Sequence, residues 1–426
     1  MTPRRYARAV IVLLVLLPAC RKAEPAVPPD PPAGQSRVRH VRDVSFAVTP
    51  ERVARGRYLA EGILQCFVCH SEREWTKPGG PPVAGREGAG AVWPGRPWLV
   101  AANITPDKET GIGAWSDDMV ARAIREGIGY DGRPLDPQMW SSSFRRLTDE
   151  DVESVVVFLR SRPAVRNSLP PTRIPPEREP IMPAPPLTLP VTREIADQQA
   201  RGAYLVYLAD CQGCHTSWYT PRNPGYYGGG NLVEHGTGAV PPAYGRNITM
   251  APSGIPYYDA ALFREVMRTG RVKARVLSPL MPWIAFRNMS DEDLDAIFAH
   301  LKSLRPVPHL LGYTEPPTDC LACGGRHPLG DRNRAPEWKT VPYAISDMRD
   351  AAGEYRFEDG FSLVFEVAGD KLVLREGGAG PATELFTDNG RHFFAKDSPD
   401  VVEFVRDGRG RVTHLLATGN QATKVR

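Results

Sequence analysis

Two copies of one pentapeptide pattern constrain this chain more than any other feature: Cys66-Phe67-Val68-Cys69-His70 and Cys211-Gln212-Gly213-Cys214-His215. Each reads as a covalent c-type haem attachment, in which two thiols add to the vinyl edges of one porphyrin and the adjoining His reaches the iron. A lone C-x-x-C pair also suits a disulfide, a zinc half-site or a redox dithiol. Recurrence with matching surroundings, in a chain that carries an export signal, favours two covalently bound haem c groups.

The surroundings repeat in order. Arg55-Gly56-Arg57-Tyr58-Leu59 precedes the first motif and Arg201-Gly202-Ala203-Tyr204-Leu205 the second. Asn103-Ile104-Thr105 matches Asn247-Ile248-Thr249, and Leu147-Thr148-Asp149-Glu150-Asp151 matches Met289-Ser290-Asp291-Glu292-Asp293. This is a tandem duplication. Thr148 and Ser290 read as N-caps of each repeat's closing helix, with Asp151 and Asp293 in capping-box position. Behind them Val152, Val155, Val156 and Leu159, and Leu294, Ile297, Phe298 and Leu301, recur at helical spacing and are expected to be core. Gly56 and Gly202 fall inside the opening helices, where Gly costs about 1 kcal/mol, so a close crossing of first and last helices is expected there.

These signals predict a mainly α fold, with two tandem cytochrome c-like helical domains followed by a small antiparallel β domain. The expected boundaries are a lipoprotein-type leader at 1–20, a Pro-rich tether at 21–48, a first domain at 49–167 and a Pro-rich linker at 168–192. A second domain is expected at 193–308, an irregular segment with a C-x-x-C pair at 309–350 and the β domain at 351–426. In the last of these, alternating runs at 362–367, 371–375, 391–395, 401–405 and 412–416 are separated by Asp359-Gly360, Gly369-Asp370, Asn389-Gly390 and Asp407-Gly408, which read as hairpin turns.

Arg4, Arg5 and Arg8 followed by the apolar run Ala9 to Leu17 form an export signal, too short for the span of about 20 residues that a bilayer demands. Leu17-Pro18-Ala19-Cys20 resembles a lipoprotein box, with Pro18 a departure from the usual small residue. The expected location is therefore the periplasmic side of a bacterial membrane, lipid-anchored through Cys20, with a soluble periplasmic form as the alternative. The formal charge of +4 falls to +1 once Arg4, Arg5 and Arg8 leave with the leader. No concentrated basic stripe points to nucleic acid.

Met139 in Pro137-Gln138-Met139-Trp140 and Met281 in Pro279-Leu280-Met281-Pro282 stand at equivalent points, 69 and 66 residues after His70 and His215. They are the candidate sixth ligands to the two irons, and His/Met ligation suits electron transfer over catalysis. His300, which takes the place of Phe158, reads as a packing residue, and His235 as a loop residue.

With these residues assembled, both repeats resemble c-type cytochromes. More narrowly, Asn103-Ile104-Thr105-Pro106-Asp107, Gly111-Ile112-Gly113, Trp115-Ser116-Asp117-Asp118 and Arg125-Glu126-Gly127 resemble the cytochrome c subunit of bacterial membrane-bound alcohol, aldehyde and gluconate dehydrogenases. The resemblance implies electron transfer from a dehydrogenase subunit to a quinone-linked acceptor or terminal oxidase. It also implies ligation by His70 with Met139 and by His215 with Met281. Members of that family generally carry three haems, whereas this chain holds two motifs.

Cys320-Leu321-Ala322-Cys323 lacks a directly following His, and a local disulfide is the leading reading in an oxidising compartment. A zinc site would use both thiolates and His327 but lacks an evident fourth ligand in the sequence. The β domain faintly resembles the small β domain behind some serine β-lactamase-like proteins and reads as a docking or ligand-cradling module. The expected function is electron transfer without substrate chemistry. The rivals are a peroxidase-like haem enzyme with one open iron, for which the first site with Trp140 is the candidate, and a haem-based sensor lipoprotein.

Overall fold

The computed structural model describes residues 38–425 apart from 94, 176–185, 188–189, 193–194, 196, 235–239, 335–338, 358–360, 379, 397–400 and 418–419. Cys20, the tether up to residue 37, His235, the Asp359-Gly360 turn and much of the linker lie outside the described residues.

Thr49 caps the first helix, its Oγ1 accepting from Arg52 N–H at 3.2 Å, and Pro50 takes the first helical position, where its missing N–H is harmless. This helix, α1 (Pro50–Tyr58), runs through a π-helical turn, Leu59–Ile63, toward α2 (Cys66–Cys69). A long loop then carries the short strands β1 (Ala91–Val92) and β2 (Val100–Ala101). It leads to α3 (Asp117–Glu126), α4 (Ser141–Phe144) and α5 (Asp149–Ser161). The second repeat follows the same plan, with α6 (Gln198–Leu208), α7 (Cys211–His215), strands β3 (Leu232–Val233) and β4 (Ala243–Tyr244), and α8 (Ala260–Thr269). A hairpin of β5 (Arg271–Val272) and β6 (Arg275–Val276) precedes α9 (Trp283–Phe286) and α10 (Asp291–Ser303).

The cap signals are realised: Thr148 Oγ1 accepts from Asp151 N–H at 3.1 Å and Ser290 Oγ from Asp293 N–H at 3.2 Å. The two glycines mark close helix crossings. A Cβ on Gly56 would lie 1.9 Å from the Ser154 carbonyl oxygen, and one on Gly202 would lie 1.9 Å from that of Ala296. The backbones of α1 with α5, and of α6 with α10, therefore meet where only hydrogen fits.

Both repeats share one hydrophobic core, in which Leu59, Ile63, Val155 and Phe158 join Leu205, Leu208, Leu294 and Leu301. Reciprocal polar contacts tie the repeats at this seam. Arg55 and Tyr204 both donate to Asp151, at 2.8 Å and 3.2 Å, while Arg201 and Tyr58 both donate to Asp293. Each capping-box carboxylate thus joins an Arg of its own repeat to a Tyr of the other.

After α10 the chain forms a small hairpin, β7 (Pro317–Asp319) with β8 (Arg326–Pro328), and then α11 (Ile345–Ala351). Eight strands follow: β9 (Gly353–Arg356), β10 (Ser362–Ala368), β11 (Lys371–Glu376), β12 (Thr383–Thr387), β13 (His392–Phe394), β14 (Val401–Arg406), β15 (Val412–Ala417) and β16 (Asn420–Lys424). They close into an antiparallel barrel because β9 pairs with both β10, Tyr355 opposite Leu363, and β16, Arg356 opposite Thr423. Tyr355, Phe365, Phe393, Phe404 and Leu415 fill its interior.

The expectation of a mainly α protein is overturned: helix makes up 29% of the chain, and the only closed sheet among the described residues is an eight-stranded barrel. Helical periodicity was legible only where helices bury an apolar stripe, and no described helix exceeds 13 residues. The segments between them, rich in Gly and Pro, are loops latched by side chains. In the barrel, β9, β12 and β16 were not expected from the sequence. Two of these, β9 and β16, supply the closure.

Candidate functional site

Each C-x-x-C-H motif is preceded by a residue in the left-handed region, Gln65 at φ 54° and Asp210 at φ 50°, which turns the chain sharply into the short motif helix. The two imidazoles are oriented identically. His70 Nδ1 meets the Ala102 carbonyl at 2.6 Å, and His215 Nδ1 meets the Arg246 carbonyl at 2.6 Å. A carbonyl oxygen only accepts, so Nδ1 carries the proton and Nε2 keeps its lone pair for a metal. Burial lowers the basicity of both rings, which keeps them neutral.

The Asn-Ile-Thr motif explains how those carbonyls are held. Asn103 Nδ2 donates to the Val165 carbonyl at 2.7 Å, and Thr105 Oγ1 donates to Asn103 Oδ1 at 2.7 Å. In the second repeat Asn247 Nδ2 donates to the Val307 carbonyl at 2.7 Å, and Thr249 Oγ1 to Asn247 Oδ1 at 2.7 Å. All four side chains are buried. Each latch pins the loop to the segment leaving the closing helix, directly after the residue whose carbonyl receives the His proton. The sequence displayed this motif as part of the repeat without revealing its role.

At the first site Cys66, Cys69, His70, Met139 and Trp140 line one cavity of about 510 Å³, whose other walls include Ile104, Ile112, Ile124 and Phe144. That volume lies in the range of cofactor pockets, roughly 300–1,000 Å³. Leu169, Pro170 and Pro171, from the start of the Pro-rich stretch, form a further wall, so this part of the linker builds the site. Burial pushes the Cys66 thiol up to about 12 and that of Cys69 up to about 11, as expected of thiols in an apolar pocket. Two thiols, an imidazole with a free Nε2 and a thioether around an apolar cavity fit a covalently attached haem.

The second site repeats the chemistry. Burial, and then the neighbouring Asp210, push the Cys211 and Cys214 thiols up to about 12, and Cys69 of the first motif adds to the rise at Cys214. The two motifs thus lie near each other, and Gln65 before the first donates to the Ala209 carbonyl before the second at 3.0 Å. Met281 occupies a turn equivalent to that of Met139: Met281 N–H donates to Ser278 at 3.0 Å and Met139 N–H to Asp136 at 2.9 Å. The turns then diverge. Trp140 takes φ 54° and donates its N–H to Pro137, whereas Pro282 has no N–H and takes φ −81°. Asp210, which the sequence did not single out, is a buried carboxyl pushed up to about 7, beside Ser143 Oγ at 3.4 Å.

The cytochrome c subunit of the quinone alcohol dehydrogenase of Gluconobacter oxydans is 28% identical over 432 residues, covering 91% of this chain and 84% of that subunit. The chain is a relative of bacterial dehydrogenase cytochrome c subunits. The fructose dehydrogenase cytochrome subunit of Gluconobacter japonicus is 30% identical over 291 residues, 59% of this chain and 52% of that subunit. The gluconate 2-dehydrogenase cytochrome c subunit of Pantoea cypripedii is 29% identical over 274 residues, 59% of this chain and 59% of that subunit. No protein-family model matches the chain. Among the described residues no helix is long and apolar enough to cross a membrane.

His300 is buried against the Gly202 crossing, in keeping with a packing role, and burial lowers it to about 4. Cys320 and Cys323 stand as separate buried thiols. Both face a pair of buried histidines, His309 and His327.

Proposed function

We propose that this chain is a dihaem c-type cytochrome that carries single electrons in the bacterial cell envelope, from a dehydrogenase partner toward the respiratory chain. The observation that carries the reading is the duplicated ligand geometry: each motif His donates Nδ1–H to a latched carbonyl at 2.6 Å and keeps Nε2 free. Cys66, Cys69, His70 and Met139 would hold one haem, and Cys211, Cys214, His215 and Met281 the other. Bound haem c would supply a one-electron couple, which a Met thioether ligand would shift to higher potential. The chain's own residues fix the imidazoles, exclude water with apolar walls and set the two motifs side by side. Gln65, directly before the first motif, donates its Nε2–H to the Ala209 carbonyl just before the second at 3.0 Å, and this proximity supports electron passage between the two sites within one chain.

The relatives' names support a dehydrogenase as donor, with a quinone-linked acceptor or terminal oxidase beyond. Cys20 would carry a lipid anchor holding the protein to the periplasmic side of a membrane, and the barrel would serve as a docking surface. The test is haem content with ligand access. The pyridine complex should report two haems per chain, and the reduced protein should bind carbon monoxide slowly at both. One haem per chain, or rapid binding at both irons, would overturn the reading.

A further inference from the structure

His309, Cys320, Cys323 and His327 are all buried, at 0–2% exposure, and their four donor atoms lie within 4.8 Å of one another. The hairpin β7–β8 builds three corners: Cys320 and Cys323 sit at its tip and His327 on its return strand, opposite Thr318. His309 arrives from the segment that leaves α10. It is the fourth donor absent from the local C-x-x-C reading, because it lies 11 residues before Cys320 and outside the hairpin.

The polar geometry around these donors is that of ligands. Cys323 N–H points to Cys320 Sγ at 3.4 Å and Gly325 N–H to Cys323 Sγ at 3.4 Å, contacts that stabilise thiolates. His309 Nδ1 meets the Gly228 carbonyl at 3.0 Å, and His327 Nδ1 meets the Pro328 carbonyl at 3.1 Å. Because a carbonyl only accepts, both rings carry their proton on Nδ1, and in the neutral form both present an Nε2 lone pair inward. Those two nitrogens are 3.0 Å apart, with Cys320 Sγ 3.5 Å from His309 Nε2. Two lone pairs at that distance repel, and a cation bound by both removes the conflict. Tetrahedral zinc, with bonds of about 2.0 Å to nitrogen and about 2.3 Å to sulfur, sets its donors roughly 3.3–3.8 Å apart.

We infer that His309, Cys320, Cys323 and His327 form a closed Cys2His2 site for Zn²⁺. The donor set of two sulfurs and two imidazole nitrogens suits zinc, and four protein ligands leave no position for substrate, so the role is structural. Loading releases two protons, one from each thiol, as two Zn–S and two Zn–N bonds form; no oxidant is needed. The site fastens the hairpin to the loop beside the second motif. Arg222 N–H donates to the Cys323 carbonyl at 2.8 Å, and Gly229 N–H, next to His309's partner Gly228, donates to the His215 carbonyl at 2.7 Å. This inference stands without the haem reading.

The experiment measures metal in the full-length protein, produced in zinc-supplemented medium and desalted against a weak chelator. About one zinc per chain is expected, and its X-ray absorption fine structure should show two sulfur and two nitrogen neighbours. The variant Cys320→Ser/Cys323→Ser should retain less than a tenth of that zinc while keeping its covalent haem. If this variant does not fold, the fine structure of the unmodified protein still decides. Zinc absent from the unmodified protein would overturn the site, as would a Cys320–Cys323 disulfide in mass spectra or bound zinc with no sulfur neighbour.

Discussion

At the scale of single residues, chemistry that consumes whole side chains was legible and chemistry that depends on meeting in space was not. Cys66, Cys69 and His70 announce themselves because their spacing serves one porphyrin. His309 could not, since nothing in the chain between it and Cys320 shows the hairpin folding back. His300 occupies an intermediate case: the repeat marked it as the equivalent of Phe158, and its burial gives that a measurable consequence. Its folded basicity is lowered to about 4 while the unfolded value is near 6.5. Below about pH 6.5 the unfolded chain takes up a proton that the folded chain refuses, so stability is lost as pH falls toward 4. Chemical denaturation should therefore show His300→Phe losing less stability than the parent across that window, by an amount on the order of 1 kcal/mol per pH unit. Equal slopes would place His300 outside this account.

At the scale of elements, the caps, the apolar stripes and the misplaced glycines all predicted real helices, because each rests on local physics. What they did not disclose is how little of each repeat is helical. The Asn-Ile-Thr latches let long loops behave as fixed structure, holding Ala102 and Arg246 against the motif histidines without regular secondary structure. The crossings give the sharpest element-level prediction. Gly56→Ala and Gly202→Ala each force a methyl into a carbonyl oxygen and should destabilise by roughly 2–4 kcal/mol. Gly408→Ala, where a Cβ meets nothing within 4 Å, should be close to neutral. Thermal unfolding of the three variants compares them directly; similar midpoints for all three would remove close packing as the reason for the helical glycines.

At the scale of the whole molecule, the duplication is built as two halves that complete one another. Asp151 and Asp293 each receive an Arg from their own repeat and a Tyr from the other, and the cores of both repeats merge. This pairing was invisible in the sequence because each motif is explained locally by its own helix. The barrel was half visible, since hairpin turns mark neighbouring strands but not the long-range pairing of β9 with β16. Its core is separate from the shared core of the repeats. A chain ending at Ala344 should accordingly retain both covalent haems, read by haem staining and mass, while loss of haem would tie the barrel to the fold of the repeats. The central claim is that each repeat supplies its own His and Met to one haem, and the absorption band arising from sulfur bound to ferric iron tests it most directly. Met139→Leu and Met281→Leu should each remove about half of that band and lower one of two potentials, and the double variant should abolish it. A band unchanged by Met139→Leu would contradict the account and leave the first iron open.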